Sequence, residues 1–103
     1  MRSLTSFVAM MPDSVCLTAI VYGTVQGVGF RHTTAKTASQ YPVTGTVRNL
    51  PDRTVEIIAE GARSDVLAFL NGVKTSRVSG YITEVREDWK RGTKSYNSFD
   101  IRY

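Results

Sequence analysis

The 103 residues of this chain predict a two-layer α+β sandwich, and three observations carry the prediction. Short runs of apolar residues alternate with polar ones at period two, the signature of half-buried strands. Two intervening segments instead repeat their apolar residues at helical spacing. The order of these segments is strand, helix, strand, strand, helix, strand, with one more strand at the end. A chain of this length holds one domain and one modest core. Residues 15–103 form that domain, and residues 1–14 are expected to be a poorly ordered N-terminal extension.

Each element follows from its residues. Val15 to Tyr22 is β-branched and apolar, with Leu17, Ala19 and Val21 on one face and Cys16, Thr18, Ile20 and Tyr22 on the other. Phe30 to Gln40 carries Phe30, Thr34, Ala38 and Tyr41 on one helical stripe, filled in by Ala35, and Pro42 ends it. Val43 to Asn49 and Arg53 to Glu60 are strands joined by the turn residues Leu50-Pro51-Asp52-Arg53. Ser64 is the expected N-cap of a second helix, built on Val66, Leu67, Leu70 and Val73 and closed by Asn71-Gly72. Gly80 to Glu87 is a strand anchored by Ile82 and Val85, Lys90 to Ser95 is a polar loop, and Phe99, Ile101 and Tyr103 alternate in a closing strand. Two strand–helix–strand crossovers in so short a chain fold most simply as a ferredoxin-like βαββαβ sandwich: one antiparallel sheet with both helices on one face.

Composition narrows the function. Hydrophobic residues make up 42% and charged residues 21%, an ordinary globular balance, and no apolar run is long enough to span a bilayer. The single cysteine, Cys16, permits no internal disulfide and no thiolate zinc site, which fits a reducing, cytoplasmic setting. Residues 1–14 lack the uninterrupted apolar region of a signal peptide. The net charge of +4 favours anionic ligands. Arg48, Arg53, Arg63, Lys74, Arg77, Arg86, Lys90, Arg91 and Lys94 are scattered and read as solvated surface, and the strand from Arg53 to Glu60 lacks the aromatics an RNA-binding sheet needs.

The chemistry concentrates in Gly23-Thr24-Val25-Gln26-Gly27-Val28-Gly29-Phe30-Arg31. A strand end, a glycine-bearing turn and an arginine at a helix start build an anion cradle. Gly27 and Gly29 let the backbone turn sharply and converge successive N–H groups. The helix adds its free first-turn amides and the positive end of its dipole, and Arg31 adds a planar fork suited to phosphate. Asn49 ends the row 43, 45, 47, 49. Alone it is a hairpin asparagine; beside the cradle it is an amide able to hold a water by donor and acceptor together. His32 follows Arg31, but neighbouring helix side chains diverge by about 100°, so it reads as surface. Phe30 reads as a core plug beneath the loop, Cys16 as a small strand residue and Trp89 as edge packing.

These motifs, with Gly45-x-Val47-Arg48-Asn49-Leu50-Pro51-Asp52, Val55-Glu56, Glu60-Gly61 and the ending Phe99-x-Ile101-x-Tyr103, resemble the acylphosphatase family over nearly everything from Cys16 to Tyr103. The resemblance implies hydrolysis of acyl phosphates to a carboxylate and inorganic phosphate. It implies phosphate held by the amides of Gln26, Gly27, Val28, Gly29 and Phe30 together with Arg31, and an attacking water oriented by Asn49. It implies no metal and no organic cofactor. The residues agree, since the chain has one histidine and lacks a convincing nucleophile–base pair. One departure stands out: the turn after Asp52 usually carries glycine and here carries Arg53, which costs roughly 1 kcal/mol if the backbone there is left-handed.

The expected partner is a small-molecule acyl phosphate, acted on by a monomer, with no nucleic acid and no membrane involved. The main alternative is a non-catalytic ferredoxin-like module binding phosphorylated ligands or RNA. A weaker one is a unit of carbamoyl phosphate metabolism.

Overall fold

The computed structural model describes residues 14–103. The predicted extension, apart from Ser14, lies outside them. Strand β1 (Ser14–Gly23) leads to helix α1 (Phe30–Ala38), then β2 (Thr44–Asn49), β3 (Val55–Ala62), helix α2 (Arg63–Lys74), a 3-10 turn (Ser79–Tyr81), β4 (Ile82–Arg91) and β5 (Phe99–Arg102). The sheet order is β4-β1-β3-β2-β5. Both helices pack on one face, and among the described residues no helix covers the other.

The sheet is not wholly antiparallel as expected. β1 pairs antiparallel with β3 and β4, and β2 with β3, but β5 runs parallel to β2, with Val47 opposite Ile101. The loop after β4 crosses to the far edge of the sheet and lays β5 beside β2. The carboxylate of Glu60 is buried and accepts the amides of Thr93, Lys94 (2.7 Å) and Ser95 (2.9 Å) of that loop. Successive amides converging on one carboxylate satisfy a charge that burial would otherwise penalise.

The alternation along β1 is as read: Val15, Leu17, Ala19 and Val21 are all buried. They meet Val55, Ile57 and Ala59 of β3, Val47 of β2, Phe30 and Ala38 of α1, and Val66, Phe69, Leu70 and Val73 of α2 in one core. β4 reaches the core through a bulge. Its register slips between Tyr22 and Gly23, so that Gly23 faces Ile82 while Val21 faces Val85. The extra residue turns both Ile82 and Val85 to the helix side, which strict alternation forbids for residues three apart. β4 also runs on to Arg91, so Lys90 and Arg91 are strand, not loop.

Helix α2 departs most from expectation. It begins at Arg63 with Ala62 as N-cap and no side-chain cap, so Ser64 lies in the first turn. It runs through Asn71-Gly72 to Lys74. Gly72 is there for packing: a Cβ at this position would lie 2.9 Å from Thr37 Cγ2 of α1. The buried stripe is Val66, Phe69, Leu70 and Val73, and Leu67 is 48% exposed. These spacings of three, four and seven residues trace one face, from which Leu67 is displaced by about a quarter turn.

Candidate active site

The site forms at the end of the sheet where β1 and β2, with β3 between them, both stop and where α1 begins. Thr24 N–H donates to Tyr81 O (2.9 Å) and fixes where the chain leaves β1. Val25 is fully buried beneath the turn that follows, and Phe30 is buried at its end, the core plug expected of it. Between them Gly27 (φ 83°) and Gly29 (φ 78°) take the left-handed backbone. Gly29 is the N-cap of α1 and offers no capping side chain. Among the described residues, no amide from Gln26 to Arg31 makes a hydrogen bond of good geometry to a main-chain carbonyl; the first of this region to do so is Thr33, to Gly29 O. Unpaired donors at a helix start form an anion site by geometry and dipole together.

A cavity of about 180 Å³ lies against this turn, lined by Gly27, Gly29, Phe30, Arg31, His32 and Asn49. Ile101 and Tyr103 close it from the β5 side. The sequence thus brings Arg31 and Asn49 to one place although they lie on different elements. The Arg31 guanidinium donates to Arg102 O (3.1 Å) and lies with its central carbon 4.5 Å from the centroid of the Tyr103 ring. One edge of the fork is thereby anchored, and the ring face beneath supplies a cation–π contact. Among the described residues Arg31 forms no ion pair, as the pairs present involve Arg48, Lys74, Arg86 and Lys90. Asn49 closes β2 opposite Val55, and among the described residues its side-chain amide has no hydrogen-bond partner. His32 is exposed, as read, yet it stands on the cavity wall.

Gln26 needs a distinction the sequence did not reveal. Its side chain does not line the cavity. The Nε2 amide donates to Leu50 O and to Thr54 O, each at 2.9 Å. These two carbonyls bracket the hairpin turn, in which Leu50 N–H donates to Thr54 O and Arg53 N–H to Leu50 O. Gln26 therefore ties the anion turn to the hairpin that carries Asn49. Asp52 stabilises the same hairpin: its carboxylate accepts the Thr54 hydroxyl (2.5 Å) and amide (3.1 Å), which holds its pKa below the usual carboxylate value. Arg53 keeps the left-handed backbone (φ 74°) that glycine usually provides.

Among the described residues no side chain of the cavity is a serine, threonine or cysteine, and Cys16 lies elsewhere, on the sheet face away from the helices, beside Glu60 and Lys90. Burial, and secondarily the Glu60 charge, push its thiol up, which makes it a poorer nucleophile. Among the described residues no group of three or more histidines, cysteines, aspartates or glutamates gathers as a metal site would require. The arrangement can bind a tetrahedral oxyanion, neutralise its charge and hold a water beside it.

An α+β sandwich with such a cradle at the start of its first helix defines a class of small phosphate-handling domains, and comparison with known proteins narrows it. The acylphosphatase family model matches residues 17–101. An acylphosphatase of Paenarthrobacter aurescens is 38% identical over 92 residues, covering 89% of this chain and 98% of that one. An acylphosphatase of Acidothermus cellulolyticus is 40% identical over 90 residues, covering 84% and 86%. The crystal structure of acylphosphatase from Bacillus subtilis superposes with a TM-score of 0.80 at 32% identity, covering 86% of this chain and 99% of that one. The chain belongs to the acylphosphatase family, and its function is that of a hydrolase, an acylphosphatase. The non-catalytic alternative is not favoured by these relatives.

Proposed function

We propose that the protein cleaves the carboxyl–phosphate bond of small acyl phosphates without a metal ion, and that three groups carry the reaction. The amides of residues 26–30 and the Arg31 guanidinium hold the phosphoryl oxygens. The Asn49 amide accepts one hydrogen of a water and donates to its oxygen, placing a lone pair in line with phosphorus. Water adds to phosphorus as the bond to the carboxylate oxygen breaks. The products are a carboxylate, inorganic phosphate and one proton released to solvent. The carboxylate is a good leaving group at neutral pH, so no general acid is needed. The phosphoryl transition state is loose, so positioning and charge stabilisation are most of the task. This is why a site without a strong base suffices.

The observation that supports the reading is that main-chain donors, Arg31 and an Asn49 amide without a hydrogen-bond partner among the described residues meet at one small cavity. No described helix is long and apolar enough to cross a membrane. We further infer action as a cytoplasmic monomer on a diffusible substrate, with no nucleic acid partner. The test is hydrolysis of benzoyl phosphate in the presence of a chelator. Wild type turns over; Arg31→Gln loses about 10²–10³-fold or more in kcat/KM, the scale of a lost oxyanion donor; and Asn49→Ala is strongly impaired. Full activity in either variant would remove that residue from its role.

A further inference from the structure

We propose that Arg77, outside the cavity and far along the chain, is a positioning residue for the anion cradle: it holds the Val28–Gly29 peptide so that the Gly29 amide is aimed at the bound phosphoryl group. The inference rests on the proposed role of the loop amides. Arg77 Nη2 donates to Val28 O at 3.3 Å across 49 residues of sequence. The same nitrogen lies 2.6 Å from where a Cβ on Gly29 would stand, so the guanidinium is packed directly against this residue. Among the described residues Arg77 forms no ion pair.

The segment that presents Arg77 is itself well anchored. The Ser76 hydroxyl donates to Val73 O (2.7 Å), Ser79 N–H to Ser76 O (2.9 Å), and Val78 is fully buried. Three residues beyond, Tyr81 O receives the Thr24 amide. One segment therefore backs the anion turn at both its ends, by a carbonyl at Thr24 and by a guanidinium at Val28.

Glycine itself makes this contact necessary. In a trans peptide the C=O and the next N–H point in opposite directions. Gly29 adopts positive and negative φ with similar ease. Nothing in residue 29 opposes a flip of the Val28–Gly29 peptide, which would turn a carbonyl dipole toward the anion and its amide away. A bulkier residue would only favour the flip, because its Cβ disfavours the positive φ (78°) held here and would displace the Arg77 guanidinium. The hydrogen bond from Arg77 engages the carbonyl on the far side and leaves the Gly29 N–H on the side where Gly29 lines the cavity. The grip falls on phosphoryl oxygens that do not react, so it acts on bound substrate and transition state alike. Such uniform binding appears in KM and not in kcat.

The experiment follows the Gly29 amide by ¹⁵N-resolved NMR while wild type, Arg77→Ala and Arg77→Lys are titrated with inorganic phosphate, with KM and kcat measured on benzoyl phosphate. In wild type the Gly29 amide shifts on phosphate binding. In Arg77→Ala the phosphate Kd and the KM rise roughly three- to ten-fold, the effect of one exposed charged hydrogen bond. The Gly29 resonance broadens from peptide exchange, kcat stays within about two-fold as uniform binding requires, and the thermal midpoint is essentially unmoved. Arg77→Lys, which keeps the charge but lacks the planar fork, recovers only part of the loss. Unchanged Kd and an unbroadened Gly29 signal in Arg77→Ala overturn the proposal. So does full recovery in Arg77→Lys, which would reduce Arg77 to a distant charge. A wild-type Gly29 amide indifferent to phosphate refutes the cradle itself, and the proposal falls with it, but that failure is visible before any variant is made.

Discussion

The tie between the anion turn and the hairpin makes a sharp prediction about Gln26. Replacing it with methionine keeps the length and the apolar stem but deletes the Nε2 donor that serves Leu50 O and Thr54 O at 2.9 Å each. Both carbonyls keep a main-chain partner within the turn, Arg53 N–H and Leu50 N–H respectively. The loss is therefore that of two ordinary hydrogen bonds, about 1 kcal/mol each. For a domain of this size about 2 kcal/mol lowers the melting temperature by roughly 8–16 °C. The kinetic effect differs from the stability effect. Asn49 sits one residue before Leu50 at the end of β2, so a hairpin freed from Gln26 lets the Asn49 amide drift relative to the anion turn. A drift near 1 Å costs on the order of 10²-fold. The assay is benzoyl phosphate hydrolysis well below the melting temperature of the variant, where the folded fraction is complete. The expected result is a fall of about ten- to a hundred-fold in kcat, with a smaller change in phosphate inhibition because the loop amides remain. A variant that melts lower but keeps wild-type kcat would show that Asn49 is held by its own strand alone, and the coupling would be refuted.

Four further outcomes are expected. Arg53→Gly relieves a left-handed non-glycine residue (φ 74°) and raises stability by up to about 1 kcal/mol, measured by urea unfolding, with activity unchanged. Thr34→Val removes the one buried hydroxyl that lacks a hydrogen-bond partner among the described residues and gains about 1 kcal/mol in the same assay. Glu60→Leu strands the amides of Thr93, Lys94 and Ser95, and hydrogen exchange at these amides accelerates well beyond that of β1. Glu87 has its pKa lowered by hydrogen bonds first from Lys74 and then from Trp89, both at 3.0 Å. Its contribution is fully present above the unfolded glutamate value of about 4.3 and is lost as pH falls through the lower folded value. Glu87→Gln therefore flattens the acid limb of stability against pH, by less than about 1 kcal/mol for so exposed a pair.

What the sequence disclosed, and what it withheld, divides along physical lines. The buried face of β1 was legible because period-two alternation is a local property of Val15 to Val21. The stripe of Phe30, Thr34 and Ala38 was legible for the same reason at helical period. The turn between β1 and α1 was legible because its glycines mark a sharp change of chain direction, and Gly27 and Gly29 do take positive φ there. The course of α2 could not. Asn71-Gly72 carries the chemistry of a helix end, but Gly72 serves the close approach of α1, a contact 35 residues removed in sequence at Thr37. The burial of Phe69 in place of Leu67 depends on which face α2 presents, and Phe69 is fixed there by the Phe99 ring at 5.4 Å between centroids. The direction of β5, the bulge at Gly23, the burial of Glu60 and the second duty of Gln26 all arise from long-range partners. Local pattern carries no record of a partner.

The same separation explains how the site is built. Its parts lie on four stretches of chain, and each is fixed to the next by a side chain that reaches a main-chain carbonyl. Gln26 joins the anion turn to the hairpin, Arg31 joins α1 to the end of β5, and Arg77 joins the segment after α2 to the turn itself. A carbonyl acceptor is present whatever residue bears it, so each joint depends on one side chain and not on a matched pair. A cradle of fixed dipoles binds well only if the dipoles need not reorganise when the anion arrives. The groups that would touch phosphate are mostly neutral amides, each of little strength if free to turn. Their effect comes from being held before the substrate arrives, and the residues that hold them are as much a part of the site as Arg31 and Asn49.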